Sequence, residues 1–172
     1  MAESIHHSRV IRNDALGRFL EKLSEGMAWL AGGIFIAEAV MSVVSVIGRA
    51  LWNTPVLGDY EIVQVLSAMG IALCLPYCQL RAGHVFVDFF TLRVPRRFNR
   101  ILDYAALLLL ALAAFLVAWR VWAGLLDIKE YGETSMVIGI PIWWGYVPLV
   151  WGFAVLGLVA LYDFSRAFNK DV

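Results

Sequence analysis

The stretch that decides the fold is residues 27–51, MAWLAGGIFIAEAVMSVVSVIGRAL, which holds only two charged side chains, Glu38 and Arg49. A helix of this length rises about 37 Å, and about 20 apolar residues are enough to cross the hydrocarbon core of a bilayer. Because lipid offers a backbone no hydrogen-bond partners, such a segment crosses as a helix. The chain is therefore predicted to be an integral membrane protein.

Three further segments are long and apolar enough to span a membrane, at residues 61–80, 101–126 and 142–163. The composition agrees, because 61% of the 172 residues are hydrophobic and only 16% are charged, against roughly 25% charged in soluble domains. One membrane domain is expected at this length. The predicted fold class is all-α, with four transmembrane helices.

The basic residues are sorted by segment. Eleven of the fourteen Lys and Arg residues lie before the first span, between the second and third, or after the fourth. The loops at 52–60 and 127–141 together hold only Lys129. Cytoplasmic loops carry the excess of Lys and Arg, so both termini and the middle loop are predicted to be cytoplasmic.

Two segments are amphipathic and are predicted to lie in the membrane interface. In residues 10–26, apolar side chains recur at helical spacing beside charged ones, and residues 85–98 combine phenylalanines with arginines. Apolar side chains with basic neighbours suit a helix in the interface. At the other interface, counting along the helices predicts a belt of anchoring side chains that can reach headgroups or sit among them: Arg49, Trp52, Arg120, Trp143 and Trp144.

Glu38 is the residue that invites a functional reading, because it lies near the middle of the first span, where an acid is costly. It either carries a proton or a cation, or it is a buried, hydrogen-bonded group between helices. Asp59 and Glu61 begin the second span, where acids favour a helix N-terminus, and a contact with a partner protein is the alternative. The sequence leaves these readings open.

The segment after the second span, RAGHVFVD at residues 81–88, predicts a structural corner. Gly83 permits the left-handed turn that ends a helix, and Arg81 favours a helix C-terminus. His84 and Asp88 lack a third ligand and make a poor metal site. No catalytic motif is present and the net charge is zero, so we expect no enzyme, metal, cofactor, substrate site or nucleic-acid partner.

Three motifs resemble those of a known family: DYE at 59–61, RAGHVFVD at 81–88, and ETS at 133–135 followed by IPIW at 140–143. In this order and spacing they resemble the small (Q-type) membrane subunit of the tripartite ATP-independent periplasmic (TRAP) transporters. The resemblance implies a multi-pass protein of a bacterial inner membrane that scaffolds a large permease subunit. It also implies uptake of an organic acid from a periplasmic binding protein, with the coupling ion, usually sodium, held by the large subunit.

Two other functions fit part of the sequence. A small proton-coupled multidrug exporter also has four helices and a membrane Glu in the first one, where this chain has Glu38. The length and the arginine-rich middle segment argue against it. An anchor subunit of another membrane complex is the third reading. As partners, the family resemblance implies a large (M-type) permease subunit, a periplasmic substrate-binding protein and membrane lipids.

Overall fold

Four helices form the structure, a computed structural model that describes residues 15–53, 56–81 and 96–169. They are α1 (Ala15–Trp52), α2 (Asp59–Leu80), α3 (Arg96–Tyr131) and α4 (Trp143–Asn169). Each contains a stretch long and apolar enough to cross a membrane. The predicted all-α fold class with four such helices is confirmed, and the described residues contain no strand beyond one isolated bridge between Thr134 and Pro141.

The first helix is longer than its predicted span. Residues 15–26 were predicted to be part of a separate interfacial helix, but they form the first turns of α1 without a break. The stretch contains no proline, and its two glycines, Gly17 and Gly26, each lower helix propensity by only about 1 kcal/mol. Residues 15–26 and the first span are therefore one helix. Of the other predicted interfacial segment, residues 85–95 lie outside the described residues.

The apolar side of this first part of α1 is divided between two environments. Leu20 is buried in a cluster with Val155, Val159 and Tyr162 of α4. Leu16 and Phe19, by contrast, are 61% and 64% exposed. Protein contacts thus satisfy one side of the amphipathic segment, and contact of the other side with the membrane interface stays a prediction.

The helices form an open row in the order α1, α2, α4, α3. The extensive contacts join α1 to α2, α2 to α4 and α4 to α3, whereas α1 meets α4 at few points. Gly145 lies against Val65 and Gly152 against Ala72, so α2 and α4 run in the same direction. α1 and α3 run in the opposite direction at the two ends of the row. The loops 53–58 and 132–142 share one side, which we call the hairpin side.

Small residues set the close contacts of α4. A Cβ atom added to Gly152 would overlap the backbone oxygen of Ala72, and one on Gly157 would lie 2.9 Å from the Phe115 ring. In lipid no hydrophobic force draws helices together, so close backbone approach through small residues takes its place. α4 is the most buried helix of the row. In α4, 33% of the apolar 18-residue stretch is buried inside the protein, against 11–22% in the other helices.

Candidate functional site

The intramembrane acid Glu38 faces the neighbouring helix. The hydroxyl of Ser67 on α2 donates a hydrogen bond of 2.6 Å to Oε1 of Glu38. The second oxygen, Oε2, is buried and has no hydrogen-bond partner among the described residues. The structure supplies the contact that one interpretation of Glu38 requires, in which Glu38 is a buried, hydrogen-bonded group between two helices.

A second polar bridge joins α1 and α2 at the hairpin side. The carboxylate of Asp59 accepts hydrogen bonds from the Ser45 hydroxyl at 2.5 Å, the Arg49 guanidinium at 3.2 Å and the Tyr60 amide at 2.8 Å. Three donors around one carboxylate stabilise its charged form. The preceding residue, Gly58, has a φ of 73°, which lets the chain turn sharply into α2.

Glu61 anchors the loop between α3 and α4. Its Oε2 accepts a hydrogen bond from the Ser135 hydroxyl and another, of 3.4 Å, from the Val137 amide. The Ser135 hydroxyl in turn accepts one from the Ile138 amide at 3.3 Å. The loop is further closed by the Ser135 amide, which donates to the Ile140 carbonyl at 2.9 Å. Glu61 therefore fixes residues 133–140 over the start of α2.

Beneath this loop, a crevice of about 640 Å³ opens between α2 and α4. Its polar side is formed by Glu61, Gln64, Glu133 and Tyr146, and its floor by apolar side chains such as Leu149. Leu149 lies six residues into α4, about 9 Å from its start. The crevice is therefore confined to the part of the row nearest the hairpin side.

The predicted corner is described only at its first residue. Arg81 ends α2, with its Nε donating to the Tyr77 hydroxyl at 3.1 Å and its guanidinium 5.1 Å from the centre of the same ring. Its backbone amide donates to the Tyr77 carbonyl. Gly83, His84 and Asp88 lie outside the described residues, so the rest of the corner stays a prediction.

The predicted interface anchors differ in their exposure and in their contacts. Trp52 is 69% exposed, and Trp143 and Trp144 stack edge to face with ring centres 5.9 Å apart. Arg49 pairs with Asp59. Arg120 is exposed on α3. Within the described part of the chain it has neither a hydrogen bond nor an ion pair.

Sequence reasoning identified the acids but missed the hydroxyls that hold two of them, Ser45 and Ser67. A signal for Ser45 was available, because it follows Glu38 by seven residues and so lies on the same helix face. Ser67 had no such signal before the pairing of the helices was known. All three acids bind groups within the chain. Among the described residues, no three His, Cys, Asp or Glu side chains could hold a metal ion.

Comparison with known proteins gives two matches that agree. A profile of the family described as tripartite ATP-independent periplasmic transporters, DctQ component, matches residues 38–170. The chain is also similar to the sialic acid TRAP transporter permease protein SiaT of Haemophilus influenzae (strain 86-028NP), with 24% identity over 144 residues. That match covers 84% of this chain but only 21% of the relative. No solved structure matches the chain.

Proposed function

This chain belongs to the DctQ component family of the tripartite ATP-independent periplasmic transporters, and on that premise we propose that it is the scaffold subunit on which a large permease subunit is assembled. In this role it has no catalytic activity and no substrate site of its own. The observation that carries the proposal is the open row of helices, in which the intramembrane acid Glu38 already binds Ser67. A row one helix thick leaves two long apolar faces for lipid and for a larger partner.

The relative of known class supports a larger partner. The segment similar to this chain makes up about a fifth of that permease protein. What one long polypeptide contains in a single chain, two subunits can supply by binding to each other. We therefore propose that a large membrane subunit provides the remainder of the transporter to which this chain belongs.

The direction and chemistry of transport form the next level of the proposal. We place both termini in the cytoplasm of a bacterium and the hairpin side in the periplasm, because Lys and Arg are concentrated in the segments opposite the hairpins. A periplasmic binding protein would deliver an organic acid to the large subunit. A sodium gradient would drive uptake, with sodium bound in the large subunit. The intramembrane acid of this chain, Glu38, already binds Ser67, and only its buried Oε2 has no hydrogen-bond partner among the described residues.

Co-purification tests the scaffold role. The tagged chain is extracted from native membranes in mild detergent, and the proteins that remain bound are identified and quantified by mass spectrometry. We expect a multi-span permease in a ratio close to one to one. Recovery of the chain alone, or only with copies of itself, would overturn the proposal.

Reconstitution tests the coupling. Vesicles containing both membrane subunits, supplied with the binding protein loaded with a labelled organic acid, are given an inward gradient of sodium or of potassium. We expect uptake with sodium and only background with potassium. Vesicles with the small chain alone should remain at background, and uptake by them would contradict the assignment of the substrate path to the large subunit.

A further inference from the structure

Arg120 is the one cation of the predicted spans that has no ion-pair partner among the described residues. Glu38 binds Ser67, and Arg49 pairs with Asp59. Arg120 has no hydrogen-bond or ion-pair partner among the described residues and is exposed. The nearest acid on its own helix, Asp127, is seven residues away, about 10 Å along the axis. A charge on a transmembrane helix normally faces a partner or water.

The depth of Arg120 follows from contacts along α3 and α4. Tyr104 binds the backbone of residue 167, Phe115 lies against Gly157, and Lys129 lies over the ring of Trp143. This antiparallel register places Arg120 level with Gly152, which in turn touches Ala72 of α2.

α2 provides the scale for that depth. Its 22 residues rise about 33 Å, close to the roughly 30 Å of a hydrocarbon core, and it has Asp59 at one end and Arg81 just beyond the other. Ala72 is about 20 Å from Asp59 and about 13 Å from Arg81. Arg120 therefore lies well inside the apolar layer, deeper than its predicted place among the outer headgroups.

Reaching the outer headgroups from this depth is unfavourable for a second reason. Helix side chains lean toward the N-terminus of their helix. The N-terminus of α3 is at the side opposite the hairpins, so the side chain of Arg120 starts out leaning away from the outer surface. A protein group at the same depth can neutralise the charge without this reversal.

The surface around Arg120 is suited to a helix. Leu109, Ala113, Leu116 and Arg120 follow one another at intervals of three and four residues on the side of α3 that faces away from α4. On the opposite side, Ala111, Ala114 and Ala118 are buried. Trp119, beside Arg120, is 69% exposed. Arg and Trp are the residue types that most often dominate binding energy at protein interfaces.

We propose that this side of α3 is the contact surface for a transmembrane helix of the large permease subunit, and that this helix carries an Asp or Glu at the depth of Arg120. The inference rests on the proposed scaffold function. Charge complementarity identifies the occupant, because Arg120 has no ion-pair partner among the described residues and needs an anion inside the apolar layer. Small Ala113 lets the partner helix approach closely.

The first test changes the charge in the assembled complex. With the wild-type complex as reference, Arg120→Ala should reduce the amount of large subunit recovered per tagged chain by roughly tenfold or more, because it leaves the partner's acid unpaired in a dry interface. Arg120→Lys should restore part of the loss. Arg49→Ala is the matched control and should change recovery by less than about twofold, because the counter-ion of Arg49 is Asp59 of the same chain.

The second test does not depend on affinity. Single cysteines at Ala113 or Ala114, in a chain whose Cys74 and Cys78 are replaced by Ser, are labelled with a benzophenone maleimide and irradiated in membranes. We expect a product with the mass of both subunits from Ala113→Cys and little from Ala114→Cys, since Ala114 is 3% exposed and faces α4.

The outcomes separate the inference from the function on which it rests. If the wild-type chain binds no permease, the proposed function fails. If the wild type binds one but Arg120→Ala binds it equally well, or if the two cysteine positions give equal products, the assignment of α3 is overturned while the function stands. A product with twice the mass of this chain would name a second copy as the occupant and also overturn the assignment.

Discussion

The interface between α1 and α2 differs in kind from the interfaces that α4 makes with α2 and α3. Polar bonds join α1 to α2, from Ser67 to Glu38 and from Ser45 and Arg49 to Asp59. The contacts of α4 rely more on small residues, such as Gly152 against Ala72, with a hydrogen bond from the Tyr104 hydroxyl to the Ala167 carbonyl near the end of α4. The comparison shows two ways of holding helices together in lipid, where apolar area alone gives no preference for protein over solvent.

The difference also separates the charges of the molecule. At the α1 end of the row, Glu38 binds Ser67 and Arg49 pairs with Asp59. At the α3 end, Arg120 has no such partner among the described residues. The first arrangement stabilises the subunit by itself, and on our proposal the second is stabilised by a helix of a partner subunit. We therefore expect the α1–α2 pair to respond to mutation in the isolated subunit and the free side of α3 to respond only in the complex.

The largest expected effect concerns the close-packed side of this comparison. Gly152→Ala places a Cβ atom against the backbone of α2, which cannot rotate away, and should destabilise the isolated subunit by roughly 2 kcal/mol after the gain in helix propensity. Denaturation by SDS in mixed micelles measures the change. Gly33→Ala is the control, since nothing lies within 4 Å of the added atom. Equal behaviour of the two variants would contradict the tight α2–α4 packing.

A somewhat smaller and local effect is expected at the hairpin side. Glu61→Ala removes the acceptor for the Ser135 hydroxyl and the Val137 amide. Hydrogen exchange of the amides of Val137 and Ile138 should become roughly tenfold faster, the equivalent of about one hydrogen bond. Glu133→Ala is the control on the same loop and should leave these amides unchanged. Unchanged exchange in Glu61→Ala would mean that the loop is held by other contacts.

The hydrogen bond between Ser67 of α2 and Glu38 of α1 should contribute less to the stability of the subunit than its position in the membrane suggests. Ser67→Ala removes the hydrogen bond to Glu38 and should cost about 1 kcal/mol, because interhelical hydrogen bonds in membranes are individually weak. Ser42→Ala serves as the comparison, since among the described residues its hydroxyl makes no side-chain hydrogen bond to another helix. A double-mutant cycle with Glu38→Ala, which removes the acceptor, isolates the interaction. A coupling energy near zero would show that this hydrogen bond does not stabilise the contact between α1 and α2.

The smallest effect is expected for the exposed ion pair. Arg49→Gln removes a contact to Asp59 in which the Arg49 side chain is 61% exposed. The melting temperature should fall only slightly, and the fall should vanish in about 1 M salt, where the screening length is about 3 Å. Salt titration of wild type and variant checks this. A large, salt-independent loss would show that the pair is buried in the intact subunit.

The apolar runs predicted the four helices because lipid permits few alternatives, and each predicted span lies within one helix to within a residue. The family was also recognisable from the spacing of short motifs such as residues 59–61 and 81–88. The continuity of α1 was not predicted, because the first part of this helix has the same amphipathic sequence pattern whether lipid or α4 covers Leu20.

The order of the helices in the row could not be predicted from the sequence for a related reason. A helix that is apolar on all sides does not indicate which side meets a neighbour. The pairing of Glu38 with Ser67, and the level of Arg120 beside Gly152, depend on that order. Counting residues along one helix located Arg120 from its own N-terminus, whereas its depth is set by the register of three helices together.

The open row has a consequence for the boundary with the surrounding lipids. Four helices gathered into a closed bundle would hide one side of each, but four in line keep both broad faces of the two inner helices at the perimeter. Such a subunit needs more annular lipid per residue than a bundle of equal mass, and each lipid displaced by a neighbour shortens that perimeter. On our proposal, a large subunit that covers one broad face of the row would shorten this boundary and release the lipids ordered along it.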